Sequence, residues 1–215
     1  MKLGLLFVAC AVSVAAQVPS ITYTREFHGS QPPYFSIRVA KSGDLTYKES
    51  PTDNQPVTAH MNDAAASALF EMAERLNDFR SPLESGLKVA NTGKKTFRYD
   101  DGKGKISETT FNYSTDQTAQ QLLEKFERIG ETERAYLDLE RTSKFDKLGV
   151  NDSLAEVESL WLRKQLAAPS QFIPLLNRVA SHESYMHLAR ERAARLRDEI
   201  QAAGGIAKAA PVADK

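Results

Sequence analysis

Residues 21–50 alternate between apolar and polar side chains with a period of two. In the segment ITYTREFH the apolar positions include Ile21, Tyr23 and Phe27, and the alternation recurs in YFSIRVA and in DLTYKE. This period places the apolar side chains on one face of a half-buried β-strand. Between the last two segments, KSGD puts Gly43 where a hairpin turn needs a positive φ angle. The pattern therefore predicts a strand followed by a first hairpin.

The period changes to that of a helix after residue 60 and becomes strand-like again before residue 114. Asn62 is expected to cap this helix. Its apolar stripe is expected to cover the apolar face of the sheet and consists of Leu69, Met72, Ala73, Leu76 and Phe79. Proline and glycine in residues 80–94 predict a loop. The segment KKTFRYDDGKGKISETTFNYS then predicts a second hairpin that turns at DDGKG.

Beyond residue 114 the apolar spacing is helical throughout. The sequence STDQ, which begins at Ser114, matches a capping box and precedes a stripe of Leu122, Phe126 and Ile129. This helix either continues through Gly130, at a cost of about 1 kcal/mol for the glycine, or breaks there. Shorter helices are expected to follow.

The last of these helices is expected to begin at Ser181. Its predicted apolar stripe is Met186, Ala189, Ala193, Leu196 and Ile200. The segment after it, GGIAKAAPVADK, is small and rich in helix breakers, which predicts a disordered tail.

These patterns together indicate the α+β fold class. We expect an antiparallel sheet of two hairpins packed by a helix over residues 17–113, an all-helical C-terminal half over 114–203, and a disordered tail over 204–215. The pattern leaves open whether the two halves share one core.

The first sixteen residues have the features of a signal peptide. Lys2 supplies the positive start, LGLLFVACAVSV the apolar run, and VAA the small residues before a cleavage site between Ala16 and Gln17. The expected location is therefore secreted or periplasmic. The apolar run is shorter than the roughly 20 residues of a membrane-spanning helix. As an alternative, FVAC loosely resembles a lipobox, which would anchor the protein by a lipid on Cys10.

Composition narrows the possible partners and chemistry. Lys plus Arg equals Asp plus Glu at 28 each, so no net field favours nucleic acid. Cys10 is the only cysteine, so a mature chain from Gln17 contains no disulfide. The sequence has no Gly-x-Ser-x-Gly elbow, phosphate-binding loop or Cys/His cluster. We therefore expect no cofactor, no metal and no catalytic residues of a recognisable kind.

The segment SHESYMH suggests a zinc-protease motif, but its spacing does not fit. The motif needs two histidines at i and i+4 with a glutamate between them, whereas His182 and His187 are five residues apart. On a regular helix that spacing separates the two side chains by roughly 140°. An ordinary helix start is the favoured interpretation.

One stretch resembles a known family. The string GSQPPYFSIRVAKSGDLTYKE is similar to an uncharacterised domain family of secreted bacterial proteins, in which a Gly-x-Cys-Pro-x-Tyr stretch leads into a strand, a turn and a second strand. This chain departs from the motif at Gln31, where the family has cysteine, and Phe27 stands where a partner cysteine would lie. The resemblance covers roughly residues 21–113 and implies export and an antiparallel sheet with a packed helix. It implies no activity.

Two functional hypotheses follow from these observations. The first is an exported, non-catalytic binding or scaffolding module for another envelope or secreted protein, with Tyr23, Tyr34 and Tyr47 on its interaction surface. The alternative is an envelope hydrolase whose histidine and carboxylate residues are distant in sequence. A cavity that brings one of the four histidines against Asp, Glu or Ser would favour the alternative.

Overall fold

The computed structural model describes the backbone of residues 17–209 and the side chains of residues 17–204. The predicted signal peptide, with Ala16 and Cys10, and the end of the predicted tail, residues 210–215, lie outside the described residues. The strands are β1 (Ser20–Glu26), β2 (Tyr34–Ala40), β3 (Asp44–Lys48), β4 (Val57–His60), β5 (Lys94–Asp100) and β6 (Ile106–Phe111). The helices are α1 (Asp63–Arg75), α2 (Gln117–Phe145), α3 (Val150–Leu162), α4 (Ile173–Ser181) and α5 (His187–Ala209).

The six strands form one antiparallel sheet in the order β4-β3-β2-β1-β5-β6. The predicted α+β class is confirmed, with the helices concentrated in the C-terminal half. The two predicted hairpins are β2–β3 and β5–β6, and β1 lies between them. Tyr23 of β1 stands opposite Ile37 of β2 and Phe97 of β5. The first strand therefore joins the two hairpins into a single sheet.

One face of the sheet is covered by helices and forms the first hydrophobic core. Asn62 caps α1 as predicted, since its side chain accepts a hydrogen bond from the Ala65 amide. Buried side chains of α1 and α2, including Leu69 and Phe126, pack on the apolar face of the strands. The opposite face presents the polar side chains of the alternating pattern, as is common for antiparallel sheets. We call it the open face.

Helix α2 belongs to two hydrophobic cores. It continues without a break through Gly130, where an added Cβ would lie 3.2 Å from the Phe35 ring. Before Gly130 its apolar side chains pack on the sheet, and after it Ala135 and Leu139 join a second core with α3, α4 and α5. Each half of the chain thus has its own core, and α2 connects them.

Two of the predicted helix starts are wrong. The N-cap of α2 is Asp116, which accepts from the Ala119 amide, and not Ser114. Ser181 ends α4 instead of starting the last helix, and its hydroxyl donates to the Asn177 carbonyl. Helix α5 begins at His187, so Met186 lies outside it and is exposed.

Two further features concern the chain ends and the membrane. Helix α5 continues to Ala209 and so overlaps the first residues of the predicted tail. None of the helices between residues 17 and 209 has both the length and the hydropathy needed to cross a bilayer. With Cys10 as its one cysteine, the chain forms no internal disulfide.

Candidate binding groove

Tyr23, Tyr34 and Tyr47 do not form the predicted interaction surface. Tyr23 and Tyr47 are 0% and 1% exposed, and only Tyr34 is partly exposed. The two buried rings lie on the same face as Ile21 and Leu45, which is the face that α1 and α2 cover. The alternation correctly placed these tyrosines on one face, but that face is the core.

The buried tyrosines use their hydroxyl groups within the protein. The Tyr23 hydroxyl donates to the Glu127 carboxylate at 2.6 Å, and the Tyr47 hydroxyl donates to Glu49 at 3.0 Å. Burial, with these carboxylates beside them, raises the pKa of both phenols above the ordinary value. Each hydroxyl therefore stabilises the fold and is not available to a partner.

The histidines that have polar neighbours are exposed to solvent. His60 Nδ1 lies 3.1 Å from Asp44, which also accepts a hydrogen bond from Ser42 at 2.7 Å. Nucleophilic catalysis needs the serine to bond to the histidine, whereas here both bond to the aspartate, and the group is exposed. No histidine lines either of the two concave sites described below.

The SHESYMH segment does not form a metal site. His182 follows the end of α4 and lies 2.8 Å from the Ser184 hydroxyl, whereas His187 begins α5 and lies 3.5 Å from Glu191. Across residues 17–204, no three His, Cys, Asp or Glu side chains are grouped so as to hold a metal ion.

A groove of about 890 Å³ lies beside the second half of α2. One wall is α2 from Glu131 to Phe145, and the other is formed by Glu156 and Leu160 of α3 with Arg163 directly after it. The loop at Gln31 and Pro32 closes one end, together with Glu49. We call this site the α2–α3 groove.

Charged side chains of both signs form the rim of the groove. Arg141 pairs with Asp138 at 2.6 Å, and Lys144 pairs with Glu140 at 2.8 Å, at the i,i+3 and i,i+4 spacings that bring helix neighbours together. These exposed pairs contribute about 0–1 kcal/mol each. They can therefore exchange partners with the charges of a ligand at little cost.

Four apolar side chains of the two helices also line the groove, namely Ala135, Leu137, Leu160 and Phe145, but polar groups supply more of its surface. Ala135 and Leu160 are buried in the second core and present little surface, while Leu137 packs partly against the first core. At the closed end, Arg134 donates from Nη1 to the Gln31 carbonyl at 3.1 Å. This bond ties α2 to the loop before β2.

Two buried polar side chains of α2 form hydrogen bonds with the segment between α3 and α4. Thr132 Oγ1 accepts from the Ala167 amide at 3.0 Å and donates to the Arg128 carbonyl at 3.0 Å. The fully buried Glu133 accepts from Gln171 Nε2 at 3.0 Å, and its other oxygen has no partner among the described residues. Burial raises the pKa of Glu133 to about 7, although the Gln171 hydrogen bond acts in the opposite direction.

A second, smaller cavity of about 140 Å³ surrounds Lys95. Burial lowers the pKa of this lysine, a shift that is also found in nucleophilic lysines. Its Nζ, however, lies 2.8 Å from the Asn112 carbonyl, 2.8 Å from the Thr92 hydroxyl and 3.2 Å from the Gly93 carbonyl. These acceptors use all three ammonium protons, so Lys95 fastens the loop before β5 to the end of β6.

Sequence reasoning missed the α2–α3 groove. The available signal was the run of opposite charges at helical spacing over residues 131–145, which is equally typical of a solvated helix face. No family model matches the chain, and no curated protein or solved structure matches it either.

Proposed function

We propose that this protein is an exported, non-catalytic binding module, and that the α2–α3 groove takes a segment of a partner protein. The observation that carries the proposal is an open groove along two helices, lined by charged side chains of both signs together with a few apolar side chains. No histidine, and no serine activated by a base, lies in the groove.

The length of the groove favours a polymer segment over a small molecule. From Glu131 to Phe145 the α2 wall is about 21 Å long at 1.5 Å per residue. Small-molecule sites are mostly apolar and enclose their ligand, whereas this groove is open and its rim is charged. An extended or helical segment can place its charges against those of the rim and a few apolar side chains against the apolar ones of the groove.

The charge pattern indicates what kind of segment fits. Arg134, Arg141 and Arg163 alternate around the groove with Glu131, Asp138 and Glu156. A partner of mixed charge can match this pattern, and complementarity of this kind contributes mainly to specificity and to the rate of association. A strongly acidic or basic partner would meet like charges on one side.

Site-specific photo-cross-linking in the source cell tests the proposal. A cross-linker in place of Arg141, on the exposed rim, is expected to capture one partner segment. A matched cross-linker in place of Arg98, an exposed arginine of the open face, is expected to give little product. The reversal Arg163→Glu should lower the yield at position 141 by about tenfold. The new glutamate would face the negative charges of the partner that Arg163 is expected to match. Equal capture at positions 141 and 98, or a yield that Arg163→Glu does not change, would show that the groove is not the binding site.

A further inference from the structure

Glu133 is fully buried on α2, and only one of its two carboxyl oxygens has a hydrogen bond. Oε1 accepts from Gln171 Nε2 at 3.0 Å, whereas Oε2 has no partner among residues 17–204. Gln171 is in the same position, because its Nε2 donates to Glu133 while its buried Oε1 has no partner in that range. Buried polar atoms without partners are rare in native proteins, and each one needs an explanation.

A single proton supplies the missing donor. A protonated carboxyl group has an O–H donor beside its carbonyl acceptor, and a glutamine side chain has the matching acceptor and donor. With the proton on Glu133 Oε2, this O–H donates to Gln171 Oε1 while Gln171 Nε2 still donates to Glu133 Oε1. Both remaining oxygens then have a partner in a cyclic pair. An ionised Glu133 leaves two acceptors side by side with no donor between them.

The pair fastens residues 163–172, which we call the α3–α4 linker, to α2. Beside it, Thr132 Oγ1 accepts from the Ala167 amide at 3.0 Å. Across the described chain, Thr132 and Glu133 form all of the hydrogen bonds between α2 and the linker. Ala167 packs against the first core and Leu166 against the second. Release of the linker would therefore loosen the contact between the two halves.

The surroundings of Glu133 offer no bonded opposite charge. The titratable and charged side chains around it are Arg134, Tyr136, Glu140 and Lys144 of α2, Tyr47 of β3 with Glu49 directly after it, Arg178 of α4, and Arg163 and Lys164 at the exposed start of the linker. Among the described residues, Gln171 is its one hydrogen-bond partner. Burial therefore raises the pKa of Glu133 from its ordinary value of 4.5 to about 7. Burial also raises the pKa of Tyr47 and Tyr136, so neither phenol ionises near neutral pH.

We propose that Glu133 and Gln171 form a proton-dependent clasp, which holds the α3–α4 linker on α2 while Glu133 is protonated and releases it when Glu133 ionises. Arg163 of the α2–α3 groove is the first residue of the linker, so release also moves one wall of the groove. The clasp rests on the contacts of Glu133 and Gln171 and does not depend on the proposed function.

The direction of the pH effect follows from the burial of Glu133. With the linker released, the carboxyl group is in water and ionises near its ordinary pKa of 4.5, whereas with the linker in place its pKa is about 7. The equilibrium constant for release therefore rises with pH between these two values and is constant above pH 7. Its upper level is about 300 times its level at low pH, as the difference of the two pKa values requires.

Hydrogen exchange of the Ala167 amide tests the clasp. This amide donates to Thr132 on α2, so it exchanges when the linker leaves α2. The protein is the chain from Gln17 onward, which contains every described residue. NMR gives the protection factor, in which the ordinary effect of pH on exchange is divided out. We expect this factor to fall by about 70-fold between pH 5 and pH 8.

Three variants separate the clasp from other effects of pH. Glu133→Gln reproduces the donor and acceptor of the protonated acid and cannot ionise, so the protection factor of Ala167 should stay within about twofold at both pH values. Gln171→Leu removes one half of the clasp and should lower the protection factor at pH 5 by about tenfold. Glu131→Gln, at an exposed position on the same helix, is the matched control and should behave like the original protein.

A low concentration of urea distinguishes release of the linker from unfolding of the whole chain. Urea promotes an opening in proportion to the surface that it exposes. The Tyr23 amide of the central strand should therefore exchange faster in urea, while exchange at Ala167 changes little. The proposal is overturned if the protection factor of Ala167 is equal at pH 5 and pH 8, or if it falls as much in Glu133→Gln. It is also overturned if Ala167 and Tyr23 have the same protection factor and the same dependence on urea.

Discussion

Replacing Phe126 with alanine is expected to lower the free energy of unfolding by about 3–5 kcal/mol. The ring is fully buried on α2, with its centroid 5.4 Å from that of Tyr23 and 5.9 Å from that of Phe97. Truncation leaves a cavity under the sheet that these neighbouring rings cannot fill without moving. Urea unfolding followed by circular dichroism measures the loss.

Two comparisons make this experiment specific. Phe145→Ala on the same helix removes an identical but exposed ring and should change stability by about 0.5 kcal/mol or less. Trp161, the only tryptophan, lies in the helical half and reports on the second core. Because α2 belongs to both cores, the Trp161 fluorescence transition should shift together with the circular dichroism transition. If it stays in place, the two cores unfold independently and α2 does not couple them.

Replacing Glu133 with glutamine is expected to raise the free energy of unfolding by about 3 kcal/mol above pH 7. In the unfolded chain this carboxyl ionises near its ordinary pKa of 4.5, whereas burial raises the pKa to about 7 in the fold. Between those values the unfolded state releases a proton that the folded state keeps. The contribution of Glu133 to the free energy of unfolding therefore falls as the pH rises from about 4.5 to 7 and then stays constant.

The neutral glutamine keeps the shape of the protonated acid and has no such pH dependence. The two proteins should be nearly equally stable below pH 4.5, and their difference should grow through the window and remain constant above it. Glu131→Gln, at an exposed position on the same helix, should follow the original protein at every pH. Parallel stability curves for the original protein and Glu133→Gln would show that this carboxyl ionises normally in the fold.

Local patterns were sufficient to predict most of the strands and helices. The alternation around Tyr23 and Phe97, the turn at Gly43 and the cap at Asn62 depend on side chains within a few residues of each other. The order of strands depends on pairing between distant segments. The central position of β1, between β2 and β5, therefore could not be read from the sequence.

The errors arise where tertiary packing decides between two local alternatives. Ser114 and Asp116 are both good capping residues, and the choice between them depends on how α2 lies on the sheet. The sequence left open whether α2 continues through Gly130, and in the fold the absence of a Cβ there leaves room for the Phe35 ring, which is distant in sequence. The apolar stripe does not show whether the last helix begins at Ser181 or at His187, because most of its apolar residues belong to the helix in either case.

The candidate site was the least predictable part. Aromatic side chains are common at interfaces, which is the basis for expecting Tyr23 and Tyr47 on an interaction surface. Aromatic side chains are also common in hydrophobic cores, where these two lie. The α2–α3 groove arises only when α3 folds back along α2, and its charged residues show no departure from a solvated helix.

Carboxylate footprinting tests the groove most directly. The protein carries no cross-linker and is labelled with and without the free partner segment that the cross-linking identifies. Carbodiimide labelling modifies exposed carboxylates, and the rim offers Glu131, Asp138 and Glu156, with Glu26 and Glu108 of the open face as internal controls. We expect the partner to reduce labelling of the three rim residues and to leave the two controls unchanged. Protection of Glu26 and Glu108 with an unprotected rim would show that the partner binds the sheet and that the groove is not the binding site.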